Sequence, residues 1–188
     1  MKRSLALTVG FLFLLMPPAL QAQKKSKLDL SLRYLLLATK KTSTMQKEMR
    51  EAAAAGYRIL VGSPTSGTEM ALTLEKVAEP PDTYEYLLLA TTKTSTMQKE
   101  MREAADQGFR LLPSTLIQKK QMFGRIEIVM IMEKAPGGET RYQYLLLATT
   151  RTSTLQKEMR EATEQGYEVV GMVSRGEHIV ILEKAVAQ

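Results

Sequence analysis

The stretch that decides the fold runs Tyr34-Leu-Leu-Leu-Ala-Thr-Lys-Lys-Thr-Ser-Thr-Met-Gln-Lys-Glu-Met-Arg-Glu-Ala-Ala-Ala-Ala-Gly-Tyr57, and the chain repeats it over residues 86–109 and 144–167. The first two copies differ only at Lys40/Thr92, Ala54/Asp106, Ala55/Gln107 and Tyr57/Phe109. Such self-similarity indicates a triplicated structural unit whose copies bury their apolar faces against one another.

Each copy opens with a segment that predicts a β-strand, at residues 30–39, 84–91 and 142–149. Side-chain alternation places Tyr86 and Leu88 on one face of the second strand, and Leu87 and Leu89 on the other. The middle of the strand is therefore apolar on both faces. A strand of this kind needs cover on both sides.

A helix is predicted to follow each strand. Ser43 and Gln46 fit a capping box, in which the serine caps the first turn. Met45 and Met49 begin an apolar stripe at helical spacing. Each helix is expected to end at a glycine in the left-handed conformation. The other two copies repeat the pattern with Ser95 and Gln98, Ser153 and Gln156, and the glycines are Gly56, Gly108 and Gly166.

Two further strands complete each unit, the second starting after the helix and the third after a turn-rich segment. A right-handed crossover makes the first two strands parallel. The third strand is the most apolar and is placed between them. The predicted fold class is α+β, with three tandem βαββ repeats of the split βαβ type and strand order 1-3-2. The repeats are predicted at residues 30–78, 83–136 and 141–186.

One helix per repeat covers only one face of each sheet. We expect the uncovered face to carry Leu87 and Leu89, and their equivalents Leu35, Leu37, Leu145 and Leu147. Burying one such leucine contributes roughly 1.5–3 kcal/mol. The sheets are therefore expected to pack together with one helix per repeat outside. The alternatives are a pseudo-threefold cluster and a pair of repeats that adds an oligomer contact.

The first 22 residues have the pattern of a secretory signal peptide. Lys2 and Arg3 precede an apolar run that ends at Met16, and Ala22 is a small residue suited to cleavage. The run is shorter than the ~20 residues of a membrane-spanning helix. We expect a secreted or periplasmic mature protein with a basic lead-in at residues 23–29 and no membrane span.

Charge and cysteine content exclude several functions. The formal net charge is +6, but Lys2, Arg3, Lys24, Lys25 and Lys27 lie in the leader and lead-in. The rest of the chain has 21 basic and 20 acidic residues. A nucleic-acid-binding protein carries its basic residues on the folded body, so nucleic acid is not expected as a partner. The chain has no cysteine, which excludes disulfides and cysteine-based metal sites.

A resemblance supports the same fold. The step Gly166-Tyr167-Glu168-Val169-Val170, the Tyr-x-Tyr opening at Tyr84 and the Lys/Glu-rich helix resemble a small bacterial family of unknown function. The βαββ units of that family usually carry Gly-Trp-Glu-Leu-Val at this step, whereas this chain has no Trp. The resemblance covers each repeat and implies the βαββ fold. It implies no activity, because the family has none assigned.

The candidate binding residues lie at the predicted helix starts. A helix N-terminus presents unpaired amide donors and a partial positive charge, so hydroxyls and a basic residue beside it could hold a sulfate, phosphate or carboxylate. The alternative is a plain capped helix with a solvated cation nearby. The residues are Lys41, Thr42, Ser43, Thr44, Lys93, Thr94, Ser95, Thr96, Arg151, Thr152, Ser153 and Thr154.

The copies also differ in how much each part has changed. Lys47 and Arg50, on a face interpreted as solvated, have counterparts of the same type in every copy, while the hairpins have diverged. Either the first strand and helix form a repeated contact surface, to a ligand or between units, or hairpin tips tolerate change. In the longest hairpin, 116–124, the sequence suggests that four apolar residues are exposed: Leu116, Ile117, Met122 and Phe123. The hairpin either docks a partner or, as we favour, extends a strand that packs on its neighbour.

No catalytic residue, metal site or cofactor is predicted. His178 has no companions in its stretch of sequence, which indicates a core or edge residue. The acids Glu75, Glu133 and Glu183 each precede a lysine at a strand end, and are predicted to be charges at the solvent boundary. Leu155 replaces a methionine of the helix stripe, which fits packing and not copper ligation.

These observations predict an exported, non-enzymatic binding or structural repeat protein. Its partner would be an envelope protein or a small anion bound at the helix starts, and self-association into a homo-oligomer is a further option. A hydrolase with its site between repeats is the competing class. Against a hydrolase, the sequence shows neither a nucleophile paired with a base nor a glycine-rich phosphate loop.

Overall fold

The structure is a computed structural model, and it describes residues 28–65, 68–77, 83–121 and 124–186. The predicted signal peptide, most of the basic lead-in, and Met122 and Phe123 lie outside the described residues.

Each repeat contains one helix and three strands. The first consists of β1 (Tyr34–Thr39), α1 (Thr42–Ala54), β2 (Tyr57–Pro64) and β3 (Met70–Lys76). The second consists of β4 (Glu85–Thr91), α2 (Thr94–Asp106), β5 (Arg110–Lys120) and β6 (Ile126–Lys134). The third consists of β7 (Arg141–Thr149), α3 (Thr152–Glu164), β8 (Glu168–Ser174) and β9 (His178–Val186).

The predicted fold class is confirmed: the protein is α+β, with three tandem repeats and one three-stranded sheet in each. The sheet orders are β1-β3-β2, β4-β6-β5 and β7-β9-β8. Every neighbouring pair is antiparallel, so the first and second strands of each repeat are parallel to each other. The first and third strands have the same register in all three sheets, since Leu37, Leu89 and Leu147 lie opposite Leu72, Met130 and Val180.

The helix ends are as predicted, but the helix starts are not. Gly56 follows α1 with a φ of 88°, a left-handed conformation that glycine adopts without steric cost. At the other end the capping-box prediction is wrong. The N-cap residue is Lys41, and it makes no side-chain cap hydrogen bond. Ser43 lies inside the first turn, because the helix begins at Thr42 directly after a turn in which the Lys41 amide donates to the Thr39 hydroxyl.

The repeats form a row in which neighbours share their helices. Helix α1 packs on its own sheet and on β4 of the second repeat, and α2 packs on its own sheet and on β7 of the third. The strands β2, β5 and β8 also contact one another in sequence order. Only α3 is outermost, and it buries fewer residues than α1 and α2. Among the described residues, substantial contacts join repeats 1 and 2 and repeats 2 and 3 but not repeats 1 and 3, so these repeats form a row and not a closed threefold cluster.

The assignment of the uncovered face was wrong. Leu35 and Leu37 pack under the helix of their own repeat, with Met45 and Met49. In the second repeat, the face of β4 that carries Tyr86 and Leu88 is covered by α1 of the preceding repeat, since both residues join the same cluster. Both faces of the strand are apolar, so alternation alone cannot tell which face the crossover helix covers.

The long strand β5 holds the neighbouring repeats close together. Ile117 is buried at 1% exposure in the cluster centred on the first repeat, which confirms the packing interpretation of this hairpin and contradicts its exposed appearance. Leu116 approaches Gly171 so closely that an added Cβ would lie 2.5 Å from its Cδ1 atom. A Cβ on Gly62 would meet Ile117 at 3.2 Å. Glycine at these two positions therefore permits the approach of β2 and β8 to β5.

Sharing of helices predicts that equivalent methionines differ in their contribution to stability. Met101 in α2 is completely buried, whereas its equivalent Met159 in α3 is half-buried. We expect Met101→Ala to lower the free energy of unfolding by about 2–5 kcal/mol and Met159→Ala to lower it by roughly 1 kcal/mol. Urea denaturation of the two variants measures the difference, and equal losses would show that α2 is no more enclosed than α3.

Candidate functional site

Two equivalent sites lie where the repeats meet, and we call them the first junction (between repeats 1 and 2) and the second junction (between repeats 2 and 3). At the first junction the Gln46 amide pairs with the backbone of β4, an edge strand. Its Nε2 atom donates to the Tyr86 carbonyl oxygen at 2.9 Å, and its Oε1 atom accepts from the Leu88 amide at 2.7 Å. Gln98 makes the same pair of bonds to Tyr144 and Leu146 at the second junction, both at 2.7 Å.

A buried polar network also crosses each junction, next to the apolar cluster that the two repeats share. At the first junction the Arg58 guanidinium donates to both carboxylate oxygens of Glu133, at 3.1 and 2.9 Å. The Tyr86 hydroxyl donates to Glu133 at 2.9 Å and accepts from the Ile59 amide at 3.1 Å. Arg58 also lies over the Tyr84 ring, 4.8 Å from its centroid, which adds a cation–π attraction.

The second junction repeats this network residue by residue. Arg110 binds Glu183 at 2.8 Å, and the Tyr144 hydroxyl donates to Glu183 at 2.6 Å and accepts from the Leu111 amide at 2.7 Å. The arginine again lies over a tyrosine ring, here Tyr142 at 4.6 Å.

The electrostatics of the junctions follow from unequal burial. Glu133 is 8% exposed and Arg58 is 45% exposed, so removing the arginine would leave a nearly buried carboxylate short of a partner. Burial raises the pKa of Tyr86 and of Tyr144, and both hydroxyls therefore stay protonated and able to donate. The hydrogen bond to Glu133 raises the pKa of Arg58, which holds it in the charged form.

The prediction that the strand-end acids are charges at the solvent boundary is wrong for Glu133 and Glu183, whereas Glu75 is partly exposed. Glu133 and Glu183 are buried because the preceding repeat covers them. Sequence reasoning also missed the role of Gln46 and Gln98, which it assigned to capping. One signal in the sequence could have drawn attention to the junctions: the third copy has Glu168 at the position of Arg58 and Arg110.

The predicted anion-binding residues lie at three separate helix starts. The backbone amides of Lys41, Lys93 and Arg151 donate to the threonine hydroxyls two residues earlier. No side chain caps any of the three helices, and none has an acidic residue in its first turn. Among the described residues, no hydrogen bond connects one of these three helix starts to another.

The three helix starts also differ in their surroundings. At α2 the Thr94 hydroxyl donates to Glu177 at 3.0 Å and accepts from Arg175 at 2.9 Å, both from the last hairpin. At α1 a groove of about 340 Å³ is lined by Thr42, Ser43 and Glu100. A carboxylate of the following repeat thus lies near each of these two helix starts. Helix α3 is the last helix of the described row.

A groove also opens beside each junction. The first, of about 510 Å³, is lined by Arg50, Tyr84 and Phe109. The second, of about 330 Å³, is lined by their equivalents Arg102, Tyr142 and Tyr167. Both grooves have aromatic walls and one arginine. The arginine that is the same in every copy of the helix, Arg50 or Arg102 here, therefore lines a groove at each junction.

The histidine and the acidic residues form no site of their own in the described part of the chain. His178 is half-buried at the start of β9, opposite Thr149 and Ser174. Within the described ranges no group of three His, Cys, Asp or Glu residues could hold a metal ion. In the same part of the chain, none of the helices has the length and apolar character needed to cross a membrane.

Comparison of the chain with protein-family models, with curated proteins and with solved structures found no match.

The tyrosine hydroxyls at the junctions predict a measurable contribution to stability. Tyr86→Phe leaves the Ile59 amide without its partner and removes a hydrogen bond from Glu133, so we expect it to lower the free energy of unfolding by about 1–3 kcal/mol. Tyr34 holds the same position in the first repeat, where it belongs to neither junction and is 50% exposed. Tyr34→Phe should change stability by less than about 0.5 kcal/mol. Denaturation of both variants tests this, and equal effects would contradict a structural role for the buried hydroxyl.

Proposed function

We propose that the protein is an exported, non-enzymatic repeat protein that acts as a structural or binding module. The observation that carries this proposal is the duplicated junction network. Its arginine, glutamate, tyrosine and glutamine side chains bind one another and the neighbouring backbone. Polar groups that could otherwise do acid–base work are thus engaged in holding the repeats together.

The arrangement supports a rigid body with repeated surfaces. Each junction fixes the next sheet through side-chain bonds to its edge strand and through a shared helix. The same groove therefore recurs along the row with its arginine and aromatic residues in equivalent positions. A module of this kind suits a partner in the envelope that contacts more than one repeat. The resemblance to the βαββ family of unknown function stays a prediction and is consistent with the proposal.

Anion binding at the helix starts is the second candidate. The observation that favours it is the absence of any capping side chain at α1, α2 and α3, which leaves first-turn amides open to a ligand. The carboxylates of Glu100 and Glu177 near α1 and α2 oppose an anion there. We therefore expect the start of α3, beside Arg151, to bind most strongly.

Melting temperatures test the anion proposal. Sulfate or phosphate at constant ionic strength should raise the melting temperature of the unaltered protein, and the rise should vanish in the triple variant Lys41→Ala, Lys93→Ala, Arg151→Ala. Arg151→Ala alone should remove most of it. The matched control is Lys47→Ala, Lys99→Ala, Lys157→Ala, which removes the same charge one to two turns further along the same helices. If the control loses as much as the first triple variant, the effect is general screening and not a site.

Export predicts a defined new N-terminus. Because the signal pattern ends at Ala22, we expect the protein recovered from the envelope or medium of a bacterial host to begin at Gln23. Intact-mass measurement decides this, and a chain that keeps its first 22 residues inside the cell would contradict export.

A further inference from the structure

The row ends in two faces that correspond to the two sides of a junction. We define the head face by Arg33, Tyr34, Leu36 and Glu75 of the first repeat, and the tail face by Gln156, Glu168, Val169 and Met172 of the third. Each residue of these faces other than Arg33 and Met172 has an equivalent among the junction residues described above. Among the described residues, the contacts between repeats leave both faces uncovered.

Apolar side chains that are buried at the junctions are exposed at the two ends. Tyr34 is 50% exposed, whereas its junction equivalents Tyr86 and Tyr144 are 3% and 1% exposed. Val169 is 47% exposed, whereas Ile59 and Leu111 are 3% and 2% exposed. Leu36 and Met172 are 66% and 56% exposed. Exposed apolar groups gathered on one face mark an interaction surface.

Both partners of the glutamine-to-backbone pairing are also accessible at the ends of the described row. Gln156 holds the position of Gln46 and Gln98, and it is exposed. The strand β1 is an edge strand, and Tyr34 and Leu36 hold the positions of Tyr86 and Leu88, whose backbone groups bind the glutamine at the first junction. An unpaired edge of this type is a ready template for another chain.

The charges at the ends differ from those of the junctions in a complementary way. At the junctions the preceding repeat supplies an arginine to a buried glutamate. At the ends the tail face carries Glu168 in place of that arginine. The head face supplies its own cation, since Arg33 binds Glu75 at 2.9 Å while its side chain remains 74% exposed. The cation that the preceding repeat supplies at a junction is thus supplied by the head face itself. Arg33 could bind both Glu75 and the Glu168 carboxylate of a second copy.

We propose that the tail face of one molecule docks on the head face of a second copy, with Gln156 paired to the β1 edge and Glu168 beside Arg33. The contact is heterologous, so it builds head-to-tail chains or rings. It is weaker than a junction, because Ala71 and Thr73 replace the buried Val129 and Ile131 on the head side. The inference goes beyond the proposed function and does not depend on a ligand.

Sedimentation equilibrium of the full protein over a range of concentrations is the first test. We expect an average mass that rises with concentration above the mass of one chain. Leu36→Asp and Gln156→Glu should each weaken association at least tenfold with an unchanged melting temperature, since both residues are exposed. Lys157→Ala, next to Gln156 and 67% exposed, is the control and should have no effect. A protein that stays monomeric at every concentration overturns the proposal.

Mixing the two blocked variants tests the direction of the contact. Leu36→Asp keeps an intact tail face and Gln156→Glu keeps an intact head face. Each alone should be monomeric, and the mixture should form dimers and nothing larger. If association requires two intact heads or two intact tails, the head-to-tail contact is wrong.

Charge exchange tests the proposed ion pair. Arg33→Glu and Glu168→Arg should each weaken association, and the double variant should restore it. The double variant places at the ends the residue types of the first junction, Glu85 and Arg58. Failure of the double variant to associate better than either single variant would exclude the pairing of Glu168 with Arg33.

Discussion

A strand that is apolar on both faces needs two covering layers, and each repeat of this protein supplies only one helix. The structure meets this constraint by sharing. Met45 and Met49 of α1 pack both on Leu35 and Leu37 of their own sheet and in one cluster with Tyr86 of the next. A repeat removed from the row would leave one face of its first strand in water. Each repeat is therefore stabilised by its neighbours in the row, and the apolar clusters run from one repeat into the next.

Sharing of helices fixes the direction of the row. Each junction has a donor side, with Arg58 and Gln46, and an acceptor side, with Tyr86 and Glu133. The two sides are not interchangeable, so repeats can be added only head to tail. The ends of the row show where this pattern stops: the first repeat carries its own arginine for Glu75, and the last has Glu168 where the others have arginine. Both of these departures lie at the faces of the first and third repeats that no described repeat covers.

The same dependence gives a physical reason for the unequal divergence of the copies. The first strand and the helix face two sheets at once, so a change of shape in them disturbs two contacts. The hairpins, in contrast, have changed in length and sequence. Part of the repeated contact surface suggested by the unchanged helix is therefore the contact between units, which Gln46 and Gln98 hold. The grooves beside the junctions, with Arg50 and Arg102, remain the surfaces open to another molecule.

The sequence by itself determined the repeat, the elements of each unit and the strand order, because these depend on local periodicity, on glycine at the helix ends and on the handedness of the crossover. It did not determine which face of the first strand each helix covers, since Leu87 and Leu88 are equally apolar. Nor did it determine the role of Gln46, which has the spacing of a capping box but bonds to the next repeat. Tertiary structure decided both, and it buried Glu133 and Glu183, because a partner from a neighbouring repeat lies many residues away in the chain and leaves no local pattern.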